Sequence, residues 1–211
     1  FLERNIVGDF IQKLSWKWRH VYDKSWTKIS LTSINLDHRK SLVSLITSYT
    51  NINSVLEVGC ASAPNLRLLR EKLPKAKLTG VDINKSAIKT AKSYFLKQNF
   101  FIKSADKLNY FSDNSYDVVF SQAVLVFVTP SSIRKAIKHM LRISRSLIVL
   151  NEYHLDNAAE GCFDGGRWIY DYRAIVAEYC PEAKIIMKSS GLKGGIWDDY
   201  GSIVVIKLND K

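Results

Sequence analysis

Between residues 54 and 150 the chain alternates short apolar runs with stretches of helical periodicity, and this alternation constrains the fold more than any other feature. Residues 54–59, 78–82, 100–103, 116–121 and 147–150 are strand-sized and rich in β-branched residues. The fourth run is continuously apolar at Val118, Val119 and Phe120, whereas a sheet with one wet face would alternate. Helical patterns separate the runs, over 64–73, over 85–97, and from Pro130 through Ile133, Ala136, Ile137, Met140 and Leu141, which share one helix face. Strands apolar on both faces and joined by helices predict a buried parallel sheet.

The flanking segments extend this core. Residues 185–188 and 202–208 read as two last strands, joined by a loop over 189–200 that contains Gly191, Gly194 and Gly195. A polar, glycine-containing stretch over 152–166 precedes a helix expected over 168–179. At the other end Ile6, Phe10, Leu14, Trp18 and Tyr22 step by four, with Trp16 and Trp26 near that stripe, and a second amphipathic helix follows over 37–49. The expectation is one α/β domain over 1–211, with a helical cap over 1–50 and a core over 51–211. Its sheet would have seven strands, mostly parallel, with the last one antiparallel.

Lysine and arginine exceed aspartate and glutamate by 31 to 20, a formal charge of +11, which favours anionic partners. The basic residues fall in four separate segments on the polar sides of predicted helices, the pattern of a solvated surface rather than of one polyanion groove. No run approaches the roughly 18 apolar residues of a spanning helix. Cys60, Cys162 and Cys180 are odd in number and widely spaced, with no zinc-ligand pattern, so neither a disulfide framework nor a metal site is expected and a reducing, cytoplasmic setting is.

The segment Val55-Leu56-Glu57-Val58-Gly59-Cys60-Ala61-Ser62-Ala63 sets an acid inside a strand and small residues at the turn into the helix opened by Pro64. Such a turn lets backbone approach a ligand closely. About twenty residues on, Asp82 ends the next strand in Thr79-Gly80-Val81-Asp82-Ile83, where a carboxylate can accept both hydroxyls of a ribose; alone it reads equally as a helix cap. Together the two features suggest an adenosine-containing ligand.

Val-Leu-Glu-Val-Gly-Cys, Gly-Val-Asp-Ile, Ser-Ala-Asp and Ser-Tyr-Asp-Val-Val-Phe-Ser-Gln, in this order over residues 55 to about 150, resemble the motifs of class I S-adenosylmethionine-dependent methyltransferases. The resemblance implies a Rossmann-like three-layer sandwich and S-adenosyl-L-methionine as cofactor, with S-adenosyl-L-homocysteine as product. It implies that Glu57, Gly59 and the backbone of Cys60 and Ala61 line the methionine part, that Asp82 holds the ribose and that Ile83 packs on the adenine. Asp106, with Ala105 beside it, would take the adenine amino group, and Ser121 and Gln122 would stand near the sulfonium. Two departures from the family pattern are plain: Ala61 and Ala63 replace glycines, which an alanine tolerates at negative φ, and Val126-Phe127 replaces a Glu-His pair that could supply a base.

His154, just past the fifth strand in Asn151-Glu152-Tyr153-His154, is then the candidate general base. Tyr22, Trp26, Tyr153, Arg167, Trp168 and Tyr172 are candidate acceptor-binding residues, because arginine among aromatics suits an anionic or sugar-like molecule. The segment Ser121-Gln122-Ala123-Val124 lacks the prolines typical of base-amino methylation, and Cys180-Pro181 reverses the order of a pyrimidine-methylating nucleophile. Methyl transfer to an oxygen or nitrogen of a small acceptor is the expectation. RNA methylation on the basic surface and a non-catalytic cofactor- or partner-binding module are the alternatives.

Overall fold

The computed structural model describes residues 11–18, 32–95 and 99–208. Residues 11–18 are helical, and Tyr22 and Trp26 lie outside the described residues. The elements that follow are α1 (Asp37–Thr47), β1 (Ser54–Val58), α2 (Pro64–Lys72), β2 (Lys77–Asp82), α3 (Lys85–Tyr94), β3 (Asn99–Ile102), β4 (Tyr116–Gln122), α4 (Pro130–Ile143) and β5 (Ser144–Tyr153). A hairpin of β6 (Cys162–Asp164) and β7 (Arg167–Ile169) leads to α5 (Tyr172–Ala177), β8 (Lys184–Ser189), α6 (Ile196–Tyr200) and β9 (Gly201–Lys207).

Seven strands form one sheet in the order β3-β2-β1-β4-β5-β9-β8, parallel from β3 to β5, with β9 antiparallel to both β5 and β8. The predicted sheet, with its antiparallel last strand, is the one observed. Side chains alternate between two layers along each central strand. Val55, Val118, Phe120, Leu147 and Val149 pack with α1, α2 and α3 through Leu42, Ile46, Leu66, Leu69 and Ile88. Leu56, Val58, Val119, Ile148 and Leu150 pack with α4 and α5 through Ile133, Ile137, Met140, Ile175 and Val176. The strand order reverses between β1 and β4, so a crevice opens at the carboxyl ends of these strands.

The helix expected over 168–179 is replaced by the β6–β7 hairpin and the short α5. Gly165 and Gly166 both have positive φ, +51° and +78°, and form a two-residue turn between Asp164 and Arg167, which face each other across the hairpin. Phe163 and Trp168 pair across it, with centroids 4.9 Å apart. The apolar spacing of Trp168, Ile169, Tyr172, Ile175 and Val176 resembles a helix stripe, but the helix starts only after Asp171, whose carboxylate accepts from Ala174 N at 3.0 Å. Among the described residues no helix is long and apolar enough to cross a membrane.

Candidate active site

A cavity of about 480 Å³ lies over the carboxyl ends of β1, β2, β4 and β5. Of the residues the sequence singled out for a cofactor, Glu57, Gly59, Ala61, Asp82, Ile83, Ala105 and Gln122 line it; Cys60, Asp106 and Ser121 do not. Cys60 is buried, its N–H donating to Val81 O at 2.9 Å. Ser121 is fully buried within β4. Asp106 is engaged just outside, accepting from Lys13 Nζ at 2.8 Å and from the Ser104 hydroxyl. Burial pushes the Asp106 carboxyl up, but the bonds from Lys13 and Ser104 outweigh it and hold the group below its ordinary value.

The floor is the turn from β1 into α2. Gly59, Ala61 and Ala63 all have positive φ, +77°, +46° and +64°. The expectation that the alanines sit at negative φ is therefore corrected: this turn requires left-handed backbone at each alternate residue, and both alanines carry the steric cost glycine would avoid. Ala61→Gly is expected to raise stability by about 0.5–1 kcal/mol, after the entropy glycine gains in the unfolded chain, read as a higher urea midpoint with unchanged slope.

Asp82 locks this turn to the next strand. Its Oδ2 accepts from Ala61 N and its Oδ1 from Asn84 N, both at 2.8 Å. It does not cap α3, because the Asn84 side chain does so by accepting from Ala87 N at 2.9 Å. Burial raises the Asp82 pKa against these backbone bonds. Each of its oxygens keeps lone-pair capacity for a further donor.

At the opposite end of the cavity stands a polar network that the sequence disclosed only in part. Glu57 Oε1 accepts from Asn65 Nδ2 at 2.7 Å, and Arg39 Nη1 donates to Asn65 Oδ1 at 2.9 Å and to Gln122 Oε1 at 3.1 Å. Arg39 Nε is oriented by Ser33 Oγ at 3.1 Å. Two buried polar atoms of this network, Glu57 Oε2 and Gln122 Nε2, have no hydrogen-bond partner among the described residues. Burial pushes the Glu57 carboxyl up to about 8, opposed by the Asn65 bond and by Arg39. Arg39 lies on the polar side of α1 among other charged residues, so spacing alone could not single it out.

The third wall follows β4. A short 3-10 turn over Leu125–Phe127 places Val124, Val126 and Phe127 on the cavity, and Glu152 fixes it from β5. The Glu152 carboxylate, fully buried, accepts from the N–H groups of Val124, Leu125 and Val126 at 3.0–3.4 Å. Burial raises its pKa to about 7, with the amides opposing. An acid closing the apolar run Leu147-Ile148-Val149-Leu150 was the sequence signal for such a role. Trp16 and Lys13, from helical residues 11–18, close the cavity from above, Trp16 lying 4.4 Å from the Phe127 ring.

The candidate acceptor residues divide. Tyr153 and Arg167 line the cavity; Trp168, Tyr172 and His154 do not. Trp168 lies between Phe163 and Tyr170, and Tyr172, the first residue of α5, is fully buried in the core that includes α4. His154 Nε2 bonds Asp156 at 2.9 Å while its Nδ1 accepts from Tyr172 N at 3.3 Å, so both ring nitrogens are engaged, one of them with the start of α5.

A turn of small residues under left-handed backbone, an acid ending the second strand and a crevice at the switch point define a nucleotide-cofactor site of the open α/β type. Residues 55–146 match the methyltransferase-domain family. The fold is that of solved methyltransferases. It superposes on the plantazolicin methyltransferase BpumL, in complex with a triazolic desmethylPZN analogue and SAH, with a TM-score of 0.68 at 15% identity, covering 99% of this chain and 100% of that one. Magnesium protoporphyrin IX methyltransferase from Synechocystis PCC 6803 with bound SAM gives 0.66 at 14% identity over 96% and 97% of the two chains. The methyltransferase in complex with the Haloferax volcanii Trm112 activator gives 0.68 at 14% over 90% and 96%. The family match covers the segment from β1 to β5, and solved structures that share the whole fold include ones with SAM or SAH bound.

Proposed function

We propose that the protein transfers the methyl group of S-adenosylmethionine to an oxygen or nitrogen of a small, anionic or sugar-like acceptor. The observation that carries the reading is the pair of unmatched buried atoms beside Arg39, a carboxylate oxygen on Glu57 and an amide nitrogen on Gln122. One calls for a cation and the other for an acceptor, which is the complement of an α-amino acid zwitterion. Asp82, which ends β2 and accepts from the β1–α2 turn, suits a ribose, and Ile83 with Ala105 suits the adenine face.

When bound, the cofactor supplies an electrophilic methyl on a sulfonium. The protein's part is then placement and exclusion of water. Glu57 would hold the ammonium, Arg39 and Gln122 the carboxylate, and Asp82 the ribose hydroxyls. Val124, Val126 and Phe127 would form a dry wall beside the reacting carbon, kept in place by Glu152. Tyr153 and Arg167, which adjoin Phe127, would orient the acceptor. His154, with both nitrogens committed, has a positioning role at the β5 end.

Asp82→Ala should lower affinity for S-adenosylmethionine by about 100-fold, the worth of two hydrogen bonds to a charged group. Equilibrium titration followed by tryptophan fluorescence reads this through Trp16, and an unchanged dissociation constant would overturn the ribose assignment.

Glu57 adds a dependence on pH. Its pKa of about 8 leaves it largely protonated at neutrality, and a cation placed against it favours the ionised form. Binding should therefore release a proton, and affinity should rise between roughly pH 6 and 7.5, above which the ligand's own ammonium titrates. Glu57→Gln should flatten that slope. Calorimetry in buffers of different ionisation enthalpy counts the proton directly.

A further inference from the structure

The cavity has one wall that the cofactor assignment leaves unused, and its composition narrows the acceptor. It consists of Phe127, Tyr153, Arg167 and Trp197. Tyr153 and Trp197 meet edge to face, with centroids 4.3 Å apart, so the surface is aromatic and its shape is set by ring packing. Arg167 lies over the Phe127 ring, 4.4 Å from its centroid. Its recorded hydrogen bond, from Nη1 to Gly166 O at 3.1 Å, uses one of five N–H donors, and among the described residues it has no carboxylate partner.

This guanidinium stands on rigid support. The hairpin that carries it is fastened to the loop after β4 by the Tyr170 hydroxyl, which donates to Val128 O at 2.6 Å, and to β5 by Tyr170 N donating to Tyr153 O. A planar fork seated over an aromatic ring loses little entropy when it pairs with a planar anion. The cavity as a whole is also basic: Lys13, Arg39, Lys103 and Arg167 line it, against Asp82 and a largely protonated Glu57. A sugar would ask for several polar partners where this wall offers ring faces.

Resting on the methyl-transfer reading above, we propose that the acceptor is a planar aromatic or heteroaromatic carboxylic acid, its ring against Phe127, Tyr153 and Trp197 and its carboxylate paired with Arg167. Arg167 is thus the specificity-determining residue of the acceptor site.

The test is a calorimetric titration of the protein saturated with S-adenosylhomocysteine. The probes are 2-naphthoate and indole-3-carboxylate, compared with their carboxamides, with cyclohexanecarboxylate and with 2-naphthyl phosphate. The acids should bind roughly tenfold or more tighter than the amides, the value of one charge-assisted bond, and tighter than the saturated-ring acid or the phosphate. Arg167→Gln should erase the preference for acid over amide, Arg167→Lys should restore part of it, and Arg173→Gln, on the exposed side of α5, should leave it unchanged. Equal binding of acids and amides, a preference for phosphate or the saturated ring, or a preference that survives Arg167→Gln would overturn the assignment while leaving methyl transfer intact. Failure of S-adenosylhomocysteine itself to bind would instead overturn the methyl-transfer reading and, with it, this assignment.

Discussion

Gly59→Ala is expected to abolish cofactor binding and to destabilise the fold by about 2–5 kcal/mol, combining the strain of left-handed backbone with overpacking. Gly59 sits at φ +77°, and a Cβ built there would lie 2.2 Å and 2.5 Å from the two methyls of Val124. Val124 cannot easily retreat, because it is β-branched and its own N–H is held by Glu152 at 3.0 Å. The two halves of the cavity, the β1 turn and the post-β4 loop, touch at this point, so a methyl inserted there wedges them apart. Val124→Ala in the same chain should recover part of the stability by removing the colliding methyls, leaving the φ strain and the 2.8 Å approach to the residue 124 Cβ. Chemical denaturation of the single and double variants measures both terms.

The second large effect falls on Glu152. Removing its side chain leaves the N–H groups of Val124, Leu125 and Val126 buried or half-buried without their acceptor, at a cost of about 1–3 kcal/mol per buried group left unpaired. Glu152→Ala is expected to lower stability by about 3–4 kcal/mol in total and to loosen the Leu125–Phe127 turn, so that affinity for cofactor falls with it. Glu152→Gln keeps an acceptor oxygen and should cost much less. Amide hydrogen exchange at Val124 to Val126 separates the two outcomes: fast exchange in the alanine variant and protection in the glutamine variant. Slow exchange in both would show that the turn does not depend on this carboxylate.

The parallel core was legible because its strands are apolar on both faces, as at Val118-Val119-Phe120, and only a sheet covered on both sides accommodates that pattern. Glu57 and Asp82 were legible for the opposite reason, since an acid inside or ending such a strand must have a use. The β6–β7 hairpin was not, because Trp168, Ile169 and Tyr172 repeat a helical spacing and the turn signal lies in two glycines that also suit a loop. Two aromatic residues placed symmetrically about Gly165-Gly166, Phe163 and Trp168, were the clue in favour of strands. Arg39 carries no local signal, for it reaches Asn65 and Gln122, 26 and 83 residues away along the chain, a proximity helped by α1 and α2 lying side by side. The conformation of Ala61 and Ala63 was hidden for a different reason: alanine seldom adopts positive φ, and here the turn imposes it.

His154 was singled out as the side chain past β5 that would face the cavity, and in the structure the neighbouring residue takes that place. The end of β5 does reach the cavity, but it does so through Tyr153, while the next side chain points the other way, as strand alternation demands. With His154 tied to Asp156 and to the α5 backbone, the candidate acceptor residues that line the cavity are Tyr153 and Arg167.

Calorimetric titration of the wild-type protein with S-adenosylhomocysteine tests most directly whether the cavity holds the cofactor. The expected result is one site per chain with micromolar affinity, accompanied by release of a proton from Glu57 at neutral pH. No heat and no saturable change at ligand concentrations well above that range would contradict it.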